Sequence, residues 1–227
     1  MSELSIFQDS DLPAPIVDTK AMSKIVESGD YLPRVQLMTS NAAKCKAGDF
    51  PINNYAKING QDFTDLGKQV DVAVLDVRLK ALDTSGDQPV SIFNPDMDEN
   101  DNPVGEFKRI MDQADTKDSG CMFGPEFLLY IPEAKAYATF FMGTKSSRRE
   151  SPKMQGLVRS AATLMSQYID SGKFQWFAPK VEACQTELVL PEKDEVIAKI
   201  NQFRQEKSTD LGELASEEEQ GTTERAR

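Results

Sequence analysis

The chain has 227 residues, 39% of them hydrophobic, which is enough to bury the core of one large domain or two small ones. It contains no histidine, and this excludes Ser-His-Asp and Cys-His nucleophile systems, HExxH zinc sites and histidine pH switches together. A formal net charge of −11 argues against holding duplex DNA by bulk charge, while leaving room for a local basic groove.

The opening residues, MSELSIFQDSDLP, carry acids where a secretory signal has a basic region followed by an apolar one. No stretch approaches the roughly 18 consecutive apolar residues of a membrane span, so a cytoplasmic protein is expected. Residues 1–29 read as an arm with a short helix from Lys20 to Ser28, capped by Thr19 and ended by Gly29-Asp30. Cys45, Cys121 and Cys184 are scattered and odd in number, which suits buried packing residues in a reducing compartment.

PINNYAKINGQDF places Asn59-Gly60 between two partly apolar runs, a hairpin signal. LGKQVDVAVLDVRLKALD then alternates: Ala73, Leu75, Val77, Leu79 and Ala81 fall on one face, and Val72, Val74, Asp76, Arg78 and Lys80 on the other. Residues 83–105 form a loop region around a short VSIF strand. Its acids match a calcium loop at Asp96, Asp98 and Asn100, but Asp101 and Phe107 stand where glycine and glutamate are needed. A solvated loop is expected there.

A helix from Glu106 to Ala114 presents Phe107, Ile110 and Met111 at helical spacing. GPEFLLYIP and KAYATFFMGTK read as two strands joined tightly at Pro132 to Ala134. In the second, Ala138, Phe140 and Met142 share one face and Tyr137, Thr139, Phe141 and Lys145 the other. Ser151-Pro152 fits a helix start, and Met154, Leu157, Val158, Ala161, Leu164, Met165, Tyr168 and Ile169 recur every three or four residues up to Gly172. A long helix is therefore predicted here. A last strand is expected in VEACQTELVL, and Pro191 opens a helix carrying Val196, Ile197, Ile200 and Phe203. From Gln205 onward seven acids face three cations without core periodicity, the pattern of a disordered acidic tail.

Strands at about 70–81, 90–93, 126–131, 136–145 and 180–190 are compatible with an α+β fold built on an OB-like five-stranded antiparallel β-barrel elaborated by helices. An OB barrel usually places its helix between the third and fourth strands, and the predicted long helix falls later. No GxSxG elbow, SxxK pair, phosphate loop or metal-ligand cluster points to an enzyme or a cofactor. Between Phe141 and Lys180, however, seven cations meet two acids, a net of +5. Tyr137 and Phe141 lie beside Lys145, Arg148, Arg149 and Lys153, and Trp176 and Phe177 lie between Lys173 and Lys180. Aromatic faces for bases beside cations for phosphates are what single-stranded nucleic acid binding needs.

The strings LGKQVDVAVLDVRLKALD, DSGCMFGPEFLLYIP and ATFFMGTKSSRRESP, followed by a helix and an acidic tail, resemble bacteriophage single-stranded DNA-binding proteins with an OB fold. The resemblance spans residues 30–204, taken as one nucleic-acid-binding domain between the arm and the tail at 205–227. It implies a non-enzymatic protein of phage DNA replication or recombination in the host cytoplasm. It further implies an acidic C-terminus that competes for the groove and docks replication proteins, although this chain ends Glu224-Arg225-Ala226-Arg227 without the usual aromatic. The residues expected to face DNA are Arg78, Lys80, Tyr137, Phe141, Lys145, Arg148, Arg149, Lys153 and Trp176. The alternative is a virion structural or assembly protein whose acidic surface and arm mediate subunit contacts.

Overall fold

The computed structural model of the chain describes residues 32–206, so the predicted Lys20–Ser28 helix and nearly all of the acidic tail lie outside the described residues. The described chain forms two compact units, one of residues 32–79 and 124–206 and the other of residues 80–123.

Nine strands are joined in one mixed sheet. In the first unit the chain runs through β1 (Arg34–Leu37), α1 (Ala43–Lys46), β2 (Tyr55–Asn59), β3 (Asp62–Gly67) and β4 (Gln69–Asp83), whose last four residues belong to the second unit. It returns in β6 (Cys121–Ile131, from Gly124 on), β7 (Ala136–Phe141), α3 (Lys145–Gly156), β8 (Ser160–Asp170), β9 (Gln175–Ala183) and α4 (Lys193–Gln205). The strand order is β3-β2-β1-β7-β6-β4-β8-β9, with β1 parallel to β7. This is an open mixed sheet with four helices, so the expected five-stranded antiparallel OB-like barrel is not formed. The sheet has nine strands and a parallel β1–β7 step, and its end strands β3 and β9 do not pair with each other, so it does not close as a barrel must.

The central strands are buried on both faces, which explains the apolar runs of β4, β6 and β7. On one side Val70, Val72 and Val74 of β4 pack with Phe127, Leu129, Phe140, Met142, Met154 and Leu164. On the other side Ala73 and Leu75 pack with Leu128, Tyr130 and Tyr137 under Val196, Ile200 and Phe203 of α4. Tyr55 of β2 reaches across the first core and donates from its hydroxyl to the Met165 carbonyl of β8 at 2.9 Å, so side chains link strands far apart in the sheet order. Gly124 permits the close β6 approach to the end of β7: a Cβ there would stand 2.3 Å from the Met142 carbonyl oxygen.

The Asn59-Gly60 hairpin forms as expected, with Asn59 opposite Asp62 and Gly60 at φ +57°. The β6–β7 connection and the helix after Pro191 also follow the sequence reading. The predicted long helix does not. Thr144 caps α3 seven residues before Ser151, accepting from the Ser147 N–H while the Ser147 hydroxyl accepts from the Thr144 N–H. Pro152 therefore sits inside a helix, where the Arg148 carbonyl loses its usual donor. The Ser151 hydroxyl donates to that carbonyl instead, at 2.9 Å. The chain then turns, and residues 160–170 form β8 because β4 pairs with Ser160–Met165 on one side and β9 with Ala162–Asp170 on the other. Correspondingly, the last strand is Gln175–Ala183 and not 180–190, and β7 ends at Phe141, which leaves Lys145 on α3.

In the second unit β5 (Val90–Phe93) pairs with Lys80–Asp83, and α2 (Gly105–Gln113) packs Phe107 and Ile110 with Ala81 and Cys121. The acidic loop before α2 is exposed as expected, with Asp98 accepting from the backbone N–H groups of Asn100 and Asn102. Cys45 and Cys121 are buried and burial pushes both thiols up, whereas Cys184 is only half-buried.

Asp83 gives this unit a pH dependence. The Arg109 guanidinium donates to it at 2.6 Å, and the Ser85 hydroxyl and N–H donate at 2.6 and 2.9 Å, lowering its carboxyl to about 2. A depressed folded-state pKa contributes stability that is complete above the unfolded value near 4 and is lost as pH falls through about 2. In urea titrations the stability advantage of wild type over Asp83→Asn is therefore expected to shrink by about 2 kcal/mol between pH about 5 and pH about 2. A constant gap would show that the carboxylate is not held in its charged form.

Candidate nucleic-acid interface

The nine expected site residues separate into three groups. Arg78 is buried at 6% exposure, Tyr137 at 8%. The Arg78 guanidinium donates to Glu126 at 2.5 Å, to the Phe203 carbonyl at 2.5 Å and to Glu206, and stacks 4.1 Å from the Phe203 ring centroid. Tyr137 packs 5.1 Å from Tyr130 beneath α4, and burial raises its hydroxyl pKa. Neither can meet a ligand strand, because both lie beneath α4; Arg78 does so on the side of Ala73 and Leu75, opposite Val72 and Val74, with which strict alternation groups it. Lys80 lies in the second unit with its ammonium 5.2 Å from the Phe93 ring centroid. Arg148 is half-buried and donates to the Gly143 carbonyl at 2.6 Å, and Phe141 is half-buried.

The remaining four lie on two elements that pack against each other, the three cations on α3 and Trp176 on β9, where it is on the face opposite Phe177 and Val181. Ser147, Ser151 and Met154 fall on the buried side of α3, so Lys145, Arg149 and Lys153, spaced four apart, fall on the exposed side. Lys153 pairs with Glu150 at 2.9 Å, while Lys145 and Arg149 make no ion pair with the described residues. Glu150 also accepts the Val181 N–H at 3.2 Å, anchoring α3 on β9. That bond, with Pro179 lacking an N–H, blunts part of an edge strand otherwise open to pairing.

Trp176 is half-buried on β9, and the structure adds partners that helical periodicity concealed. Tyr168, placed by the sequence reading on a helix, is 50% exposed on β8 with its ring 5.4 Å from that of Phe177. Phe174, in the β8–β9 turn, is 71% exposed beside exposed Lys173. The available signal is Ser171-Gly172 between β-branched and aromatic residues, which reads equally well as a hairpin turn and as a helix stop. The hairpin thus presents Tyr168 and Phe174 with Lys173 to solvent and Trp176 and Phe177 in part, Phe177 also packing against the first core.

Among the described residues no group of histidine, cysteine or acidic side chains is placed to hold a metal ion, and no helix is long and apolar enough to cross a membrane. No family model, curated protein or solved structure matches this chain.

Proposed function

We propose that this chain is a non-enzymatic single-stranded DNA-binding protein of phage replication or recombination, acting in the host cytoplasm. Its interface combines the exposed cations of α3 with the aromatics of the β8–β9 hairpin. The observation that carries the reading is the exposure of Tyr168 and Phe174 on a hairpin strand pair against which a helix bearing unpaired Lys145 and Arg149 is packed. Large exposed aromatic side chains cost solubility unless they meet a ligand, and flat rings beside cations match the bases and phosphates of an open strand. The local positive window resolves the conflict with an acidic chain, because phosphate contacts depend on the charge at the site. The acids from residue 207 on, by their charge, would supply the docking site for replication proteins.

The test is a fluorescence-anisotropy titration with single- and double-stranded oligonucleotides at two or more salt concentrations. Single strands are expected to bind more tightly. Lys145→Ala and Arg149→Ala should each lower affinity and reduce the slope of log affinity against log salt by about 0.7. Tyr168→Ala should cost about 1–3 kcal/mol with the salt slope unchanged. Absence of any preference for single strands would overturn the reading and leave assembly through the exposed hairpin as the alternative.

A further inference from the structure

We propose that the β8–β9 hairpin is a strand-separating wedge, so that the preferred nucleic acid is the junction where a duplex opens into single strands. The inference rests on the single-stranded DNA reading above and concerns the same hairpin.

The hairpin outruns its sheet. β8 pairs with β4 only as far as Met165, opposite Gln69, and the last bond to that side is from the Ser166 N–H to the Lys68 carbonyl at 3.2 Å. Beyond it Gln167, Tyr168, Ile169 and Asp170 pair only with Ala178, Phe177, Trp176 and Gln175. Four residue pairs at about 3.3 Å each make a two-stranded ribbon of roughly 13 Å before the turn. Such a ribbon needs side-chain support to stay ordered, and the Tyr168–Phe177 ring contact supplies it on one face.

The aromatics are divided between the faces. Residues directly opposite each other share a face and neighbours alternate, so Tyr168 and Phe177 lie on one face and Trp176, opposite Ile169, on the other. A platform for one strand would gather its rings on one side. Rings on both sides give each of two diverging strands its own stacking surface.

The turn completes the wedge. The Ser171 N–H and hydroxyl both donate to the Phe174 carbonyl, at 3.0 and 3.1 Å, and Gly172 takes φ +79°. Asp170, the ribbon's single acid, is drawn into the turn by the Gly172 N–H at 2.7 Å and Gln175 Nε2 at 3.0 Å. This holds the 71% exposed Phe174 at the tip with Lys173 beside it. The end of a base-paired stack is a flat apolar surface bordered by phosphates, and an apolar wedge with an adjacent cation complements both.

The experiment uses the full chain and three probes: a single strand, a blunt duplex, and a fork with two single-stranded arms and 2-aminopurine in the junction pair. Wild type is expected to bind the fork about tenfold more tightly than the single strand, the worth of one stacked ring, and to raise 2-aminopurine fluorescence. Phe174→Ser should abolish both effects, bringing the ratio of fork to single-strand affinity down to about one at whatever single-strand affinity remains, whereas Tyr168→Ala should weaken fork and single strand alike and keep the 2-aminopurine response. Equal affinity for fork and single strand, or a 2-aminopurine response unaffected by Phe174→Ser, would overturn the wedge while preserving the single-strand reading. No single-strand binding by wild type would overturn both. A change of oligomeric state in Phe174→Ser, read by sedimentation, would assign the tip to protein contacts and overturn the wedge.

Discussion

Arg78→Met is expected to destabilise the protein by about 3–5 kcal/mol without weakening single-stranded DNA binding by the fraction that remains folded. Arg78 and Glu126 face each other with side chains only 3% and 2% exposed, so removing the guanidinium takes a close countercharge from a buried carboxylate. Methionine keeps much of the volume but replaces neither the bond to the Phe203 carbonyl nor the pair with Glu206. The C-terminal end of α4 would lose an attachment to β4, while another, Arg204 to Asp76 at 2.6 Å, remains. Urea unfolding followed by Trp176 fluorescence measures the loss. Adding Glu126→Leu should recover most of it, since an apolar pair of similar volume avoids burying charge at all. A wild-type unfolding midpoint with weakened DNA binding would instead make Arg78 an interface cation, as the strand alternation alone suggests.

Phe140→Ala is expected to cost about 3–5 kcal/mol, against about 1 kcal/mol for Phe141→Ala. Phe140 is 3% exposed, pairs across β6–β7 with fully buried Phe127, and meets Tyr55 edge to face at 6.1 Å. Truncation opens a cavity at the centre of the first core, which strands hydrogen-bonded on both sides cannot collapse to fill. Phe141, next along the strand, is half-buried and loses less apolar contact. The two midpoints should therefore separate at unchanged denaturant slope. The reverse order would show that the faces of β7 had been exchanged.

Much of the local structure was legible in the residues. Alternation located β4, the Asn-Gly turn located the β2–β3 hairpin, and apolar spacing located α2 and α4. Within the candidate interface, composition marked Lys145, Arg149, Lys153 and Trp176 through their crowding into one positive window. Tyr168 and Phe174 escaped because Met154 through Ile169 satisfies a three-and-four spacing as well as it satisfies alternation from Ala162 to Tyr168. Nothing local separates the two when both readings place apolar residues inward.

What the sequence determined by itself is whatever depends on neighbours a few residues apart: turns, caps, the shorter helices, strand alternation and the basic window. Tertiary structure alone decided the rest. β8 is a strand because β4 and β9 offer its backbone two ladders, and those pairings join Gln69 to Met165, far apart in the chain. Arg78 is a buried clamp because Glu206, 128 residues later, and Phe203 arrive with α4. Alternation distinguishes two faces of a strand but carries no information about which face another element will cover. That choice is made by long-range burial, and it removed Arg78 and Tyr137 from the surface while leaving Tyr168 and Phe174 upon it.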